Sequence, residues 1–348
     1  MEEALSWRDV LGHEGNIHRL RIMLRDGRLP HALLFSGISG VGKKKVAHLL
    51  AAALLCGRED APCGVCPSCR AFLAGTHSDY VETAPESRGK GVRVLRIDAV
   101  REIEKKVARK PLLSGCFVVL VDDVDAMNEA AANSLLKTLE EPQGAVFFLL
   151  VTAKRTALLP TILSRVRDIH FGALSPEVIE EALLARGVES RKTHSLAMAA
   201  DGSLGHALLL LEGGGLQLME DAAQTLFSLS ALDMFSLWAK AEELGKLPRD
   251  RAEEWLLALS RLLRDMLALL SGRGQIYHEE KRGALAHALA EFPETRIFAS
   301  LALVREALGR LRSNASAHLL FEGLLMRLAE CVGIGKVMPG AKERALNR

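Results

Sequence analysis

The sequence predicts an α/β fold in its first half, a mostly parallel sheet covered by helices on both faces, joined to a second half that is helical throughout. Three observations carry this. Residues 116–121 and 145–152 form continuously apolar runs, the pattern of strands buried on both faces. Helix-periodic segments alternate with such runs, the βαβα order of a parallel sheet. From about residue 173 onward almost no β-like run remains.

Along the chain, Ile17, Leu20, Met23 and Leu24 recur at helical spacing, and Gly27 supplies a stop. Residues 32–36 read as a short buried strand. A helix rich in Ala and Leu is expected over 43–55, and a strand over 80–83. Val100, Ile103 and Val107 give one apolar helical face with Lys and Arg between them, and 126–139 reads as a helix between the two apolar strands. In the second half, Val178, Ile179, Leu183 and Leu184 mark one helix and residues 207–211 another. Trp255, Leu256, Leu259, Leu262, Leu263, Met266 and Leu269 mark a long one, and 284–332 has the same character. Gly213-Gly214-Gly215 is the best candidate linker, and the last dozen residues read as a loose tail.

At 348 residues the chain has room for two or three domains. Lys and Arg total 45 against 43 Asp and Glu, a balance that excludes a histone-like polycation. No apolar run approaches the ~18–20 residues that span a bilayer. Met1-Glu2-Glu3 does not open a secretory signal, so a cytoplasmic protein is expected, without membrane attachment.

Gly37-Ile38-Ser39-Gly40-Val41-Gly42-Lys43 stands between a predicted strand and a predicted helix, the context of a phosphate-binding loop. Gly37, Gly40 and Gly42 would let the backbone wrap an anion, with the helix N-terminus facing it and Lys43 reaching the outer phosphates. The next position departs from the motif. It should carry a Ser or Thr hydroxyl for magnesium, and it is Lys44. An ammonium has no lone pair for a metal and repels one. Asp122 and Asp123 close the 116–121 strand, where an acid usually partners the magnesium. Two readings stand: a loop that binds and hydrolyses MgATP, or a loop kept for its shape around a damaged magnesium site, with ATP binding in doubt. Asp125 reads as a solvated acid or a helix cap.

Cys56, Cys63, Cys66 and Cys69 place four thiols within fourteen residues, in a chain with no sign of secretion. That density suits tetrahedral zinc better than disulfides, and with no ligand to spare the metal would be structural. His77 is surplus to the cluster.

Further runs complete the picture: Arg28-Leu29-Pro30-His31-Ala32-Leu33-Leu34-Phe35, then Asn133-Ser134-Leu135-Leu136-Lys137-Thr138-Leu139-Glu140-Glu141-Pro142, then Leu159-Pro160-Thr161-Ile162-Leu163-Ser164-Arg165. With the loop and the cysteines, they closely resemble the clamp-loader subunits of bacterial DNA polymerase III, of the AAA+ class, over about residues 5–210. The resemblance implies an AAA+ P-loop domain over 1–171 with a zinc module at 56–69. A small helical lid over 172–212, a helical collar for oligomerisation over 213–335 and a tail over 336–348 follow. It also implies partners: gamma/tau ATPase subunits and a delta subunit in a five-membered ring, which loads the sliding clamp on primed DNA at the cost of ATP. Within the family, the ATPase type keeps Ser or Thr after the loop lysine, and an Arg in the lid where this chain has Gly205. Both departures resemble the delta-prime type, although His206 replaces that type's usual lid Arg. Ser164-Arg165 matches the family's arginine finger, which would reach into a neighbour's ATP site, and Thr152 matches a sensor position. Two alternatives remain open on sequence: an active gamma/tau-type ATPase, and a zinc-dependent nucleic-acid binder on a relic AAA+ core.

Overall fold

The computed structural model describes residues 5–332 except 87–93, 141, 143, 275, 291 and 314. The tail expected at 336–348 and Glu141 of the family-like run lie outside them. The chain divides into two compact units: Met1–Gly187 with Asp201–His206, and Val188–Ala200 with Ala207–Arg348.

The first unit runs α1 (Glu14–Arg25), β1 (Ala32–Gly37), α2 (Lys43–Leu55), α3 (Pro67–Leu73), β2 (Tyr80–Thr83), α4 (Ile97–Val107), β3 (Phe117–Val121), α5 (Glu129–Glu140), β4 (Val146–Thr152), α6 (Pro160–Leu163), β5 (Arg167–Phe171) and α7 (Pro176–Leu184). All five strands are parallel, in the order β2-β3-β4-β1-β5. Alternate residues of the three inner strands, β3, β4 and β1, enter opposite cores, as the period of two requires. Leu33, Phe35, Val118, Leu120, Leu149 and Val151 pack with α1 and α2. Ala32, Leu34, Val119, Val121, Phe148 and Leu150 pack with α4, α5 and α6. Both faces are covered, which is why β3 and all of β4 before Thr152 are apolar.

Three elements differ from the sequence reading. β5 was not foreseen because Arg167, Asp168 and His170 alternate with buried Ile169 and Phe171, the pattern of an edge strand rather than a central one. α5 starts at Glu129, not 126, because Val124–Ala126 forms a 3-10 turn and the Asn128 side chain accepts the Ala131 N–H at 2.9 Å. α3 arises inside the cysteine cluster, with the Cys66 sulfur as its N-cap acceptor and Pro67 in its first turn.

The second unit holds α8 (Ser190–Ala199), most of α9 (Leu204–Glu212), α10 (Gly215–Ser228), α11 (Met234–Gly245), α12 (Arg249–Ser271), α13 (Arg282–Ala288), α14 (Glu294–Arg312) and α15 (Ala317–Val332). α12 packs on α10 and α14, and α15 on α14 and α11. Trp255 and Phe321 meet edge to face, 5.7 Å between ring centroids, at the middle of this core. The Trp255 indole donates to Asp221 at 2.6 Å, so the buried ring's one polar atom is satisfied. Of the glycines read as a linker, Gly213 and Gly214 make the turn between α9 and α10 and Gly215 opens α10, all inside the second unit. No helix among the described residues is long and apolar enough to cross a membrane.

Candidate functional site

β1 ends at the loop and α2 begins at Lys43, with Gly42 as N-cap. Gly37, Gly40 and Gly42 all have positive φ, 142°, 76° and 102°. The loop therefore has the expected shape. Its lysine, however, is turned inward: Lys43 Nζ donates to the loop's own carbonyls, Gly37 O at 2.8 Å and Ile38 O at 2.6 Å. Burial pulls the Lys43 pKa down, and the nearby carboxylates of Asp122, Asp123 and Asp125 push it back.

A second segment of the same unit seats on the loop. Gly205 N–H donates to Gly40 O at 2.9 Å. A Cβ at Gly205 would stand 2.8 Å from Gly40 Cα, and one at Gly40 would stand 2.3 Å from Ser203 Oγ. Neither glycine can gain a methyl without moving the other's backbone or Ser203. The contact is made by backbone and needs glycine on both sides.

Three lysines, Lys43 to Lys45, open α2 with no acid in its first turn. Positive charge at a helix N-terminus opposes the macrodipole, by about 0.3–1 kcal/mol per charge on an exposed surface. The compensation comes from neighbouring strands. Lys44 Nζ lies 2.9 Å from Glu82 Oε1 and 3.0 Å from Asp122 Oδ2. Glu82 stands on β2 and Asp122 just beyond β3, and parallel pairing of these strands brings the two acids to the same end. The other Glu82 oxygen accepts from the Tyr80 hydroxyl and lies 2.9 Å from His48 Nε2. The hydrogen bond from His48, with those from Lys44 and Tyr80, outweighs burial and holds the Glu82 carboxyl down at about 2. Lys44 is held above its ordinary value because the two carboxylates outweigh its desolvation. An ammonium thus sits between the carboxylates at the place where the motif would put a metal.

This arrangement makes the acid side of the stability curve a readout. Glu82 is depressed, so its contribution is present above the ~4.3 of an unfolded Glu and is lost as pH falls toward about 2. Lys44→Met is expected to shift acid unfolding to higher pH, measured by circular dichroism from pH 2 to 7.

β4 lies between β3 and β1, so Thr152 ends between the acid strand and the loop strand, paired in register with Ser36. The buried Thr152 hydroxyl donates to Asp125 Oδ1 at 2.6 Å and accepts the Lys154 N–H at 2.9 Å. Asp125 is therefore Thr152's partner rather than a solvated acid or helix cap. Asp123 takes a left-handed φ of 46°, and Asp122 Oδ1 accepts its N–H at 3.0 Å.

Ser164 and Arg165 follow α6, away from these acids in sequence and on the approach to β5. Arg165 Nη1 donates to Thr161 O at 2.9 Å and to Ser164 Oγ at 3.1 Å, and Nη2 pairs with Glu140. The guanidinium is partly exposed and anchored along one side.

The four cysteine sulfurs all lie within 4.8 Å of one another. Cys63–Cys69 and Cys56–Cys66 are each 3.9 Å apart, close to the ~3.8 Å edge of a tetrahedron with ~2.3 Å Zn–S bonds. Backbone N–H groups of Cys66 and Cys69 point at the sulfurs of Cys63 and Cys66, the donors that thiolate ligands take. The donor set fits one tetrahedral thiophilic ion.

The family profile described as DNA polymerase III, delta subunit, matches residues 12–175. DNA polymerase III subunit delta' of Escherichia coli (strain K12) is 35% identical over 320 residues, covering 90% of this chain and 93% of the relative. The chain belongs to the delta-prime family. The delta' subunit of Pseudomonas aeruginosa is 45% identical over 137 residues, 39% of this chain and 41% of the relative. The tau subunit of Salmonella typhimurium is 38% identical over 224 residues, 60% of this chain but only 34% of that longer protein. This delta-prime family member is a clamp-loader subunit with an AAA+ core, as the quoted runs implied.

Sequence reasoning missed Glu82, His48, Tyr80 and Glu140. The first three become visible only once β2 is paired beside β3, and a short strand of Tyr-Val-Glu-Thr does not announce its neighbour. Ser203 and Gly205 were read as part of the lid. Their seat on Gly40 is a tertiary contact with no local signature.

Proposed function

We propose that this delta-prime subunit is a non-hydrolysing member of the clamp-loader ring that donates Arg165, steadied by Ser164, to the ATP site of a neighbouring gamma/tau subunit. The observation that carries the reading is the Lys44 ammonium between Glu82 and Asp122. A tethered cation there satisfies both acids, and a magnesium ion would have to displace it against its charge. Lys43, turned onto the carbonyls of Gly37 and Ile38, is likewise withdrawn from phosphate. The nucleotide-site residues Gly37, Gly40, Gly42, Lys43, Asp122, Asp123 and Thr152 then keep a shape rather than a reaction. In the same reading Cys56, Cys63, Cys66 and Cys69 hold a structural zinc. The helical second unit joins the subunit to the delta and gamma/tau members of a five-membered ring, and the ring acts on the sliding clamp and primed DNA.

Calorimetry of the isolated chain with a non-hydrolysable ATP analogue tests this directly. The expected result is no binding that depends on added magnesium. Tight magnesium-dependent binding would replace this reading with that of an active ATPase.

A further inference from the structure

Arg165 rides on a segment with few ordinary supports. Between β4 and β5 the chain crosses the end of β1, which lies between those two strands in the sheet. The one α-helix on the way, α6, has four residues, too few to hold a direction by its own hydrogen bonds. Leu158 and Ile162 bury their side chains in the core below. Apolar contact of that kind is non-directional, so it sets the depth of the segment and not its heading.

Directional ties are made at the two ends. At the β4 end the Thr152 hydroxyl accepts the Lys154 N–H. Next to it, Arg155 Nε donates to Asp168 Oδ2 at 2.7 Å, a partner 13 positions further on. The start of the segment is thereby fastened to the strand that follows Arg165. The second oxygen of Asp168 is taken as well, since the Ser36 hydroxyl donates to Oδ1 at 2.7 Å. Ser36 is 1% exposed and is the last residue before the glycine loop. It pairs in register with Thr152 on one side and His170 on the other. Gly37 is pressed onto the same edge strand, where a Cβ would run into the Phe171 carbonyl.

These contacts bear on position more than on stability. Arg155 is half exposed, and an ion pair so placed contributes little to folding. Its value is geometric: a charge-assisted bond closes the segment on itself, and a buried hydroxyl fixes the acceptor. Arg165 inherits that placement. Its Nη1 is held on Thr161 O and Ser164 Oγ, so the guanidinium goes where α6 goes.

We propose that Arg155 and Asp168, seated on Ser36, form a clasp that aims the segment carrying Arg165. The clasp presupposes the arginine-finger reading, and it gives the retained loop a use. In that reading the end of β1 serves no reaction in this subunit, yet it is the seat from which the finger reaches a neighbour's site. Arg155 and Asp168 are positioning residues, and only Arg165 meets the phosphates.

The test is single-turnover ATP hydrolysis at the neighbouring site in a reconstituted clamp-loader complex, with the other ATP sites disabled. Arg155→Ala and Asp168→Ala should each slow the step about tenfold, within the cost of misplacing a catalytic group by an ångström or less. The ATP concentration giving half-maximal rate should not move, and Arg155→Ala should leave the subunit's melting temperature unchanged. Arg155→Lys, which keeps a cationic donor for the carboxylate, should restore most of the rate. Both alanines together should cost no more than either alone, and neither should slow a complex that already carries Arg165→Ala. A full rate in both alanine variants, a loss in Arg155→Ala that Asp168→Ala does not share, or a further loss on top of Arg165→Ala would each overturn the clasp while leaving the finger in place. Unchanged turnover in Arg165→Ala alone would remove the finger, and the clasp with it.

Discussion

In the reconstituted complex, Arg165→Ala is expected to slow ATP turnover at the one neighbouring site it serves by about a thousandfold, the low end of what an arginine finger contributes. The fold should survive. The side chain is partly exposed, and its pairing with Glu140 is the kind of surface contact that contributes about 0–1 kcal/mol. What is lost is chemistry. A guanidinium offers a planar fork of donors to phosphate oxygens, and charge builds on those oxygens in the transition state. Thr161 O and Ser164 Oγ hold one edge of that fork, so the remaining donors approach a phosphate with little left to order. Glu140 is then a resting partner that gives way, and Glu140→Ala should leave turnover close to normal. Arg165→Lys should fall between, keeping charge without the fork. Single-turnover measurements with the other ATP sites disabled would read the effect, and unchanged turnover in Arg165→Ala would sink the finger assignment.

The second large effect is expected from Cys63→Ser combined with Cys66→Ser. Bound zinc should fall from one per chain to near zero by atomic absorption. A structural zinc site in a peptide is worth an apparent ~10–16 kcal/mol at neutral pH, and its loss here should release α3 and the turns around it. The sheet should persist, because its two cores are built from other residues. The expected signature is therefore local: faster hydrogen exchange over 56–76 with retained strand protection. One zinc per chain in that variant would refute the cluster.

The strands buried on both faces were legible because every residue there had to be apolar, and the boundaries of α2 and β2 came out as read. The loop was legible because its glycines are demanded by local backbone geometry, and the cysteine cluster because four thiols fell within one short stretch. Partners supplied from far along the chain were not. Lys44 was read as a departure from the magnesium-binding motif, but not as one end of a network with Glu82, 38 positions away. Asp125 was misread for the same reason, since its partner Thr152 stands on another strand. A sequence shows which side chains are out of place more readily than it shows what has come to meet them.

The Gly40–Gly205 contact also bears on whether turnover could be built into this chain. Introducing a hydroxyl at position 44 would supply one group able to bind magnesium, but the resemblance to the ATPase type calls for an arginine where Gly205 stands as well. A Cβ there would lie 2.8 Å from Gly40 Cα. Each change is expected to carry its own cost: the hydroxyl leaves Glu82 and Asp122 facing each other without their counter-ion, and the arginine forces the loop open. A variant carrying both changes is expected to lose stability before it gains turnover.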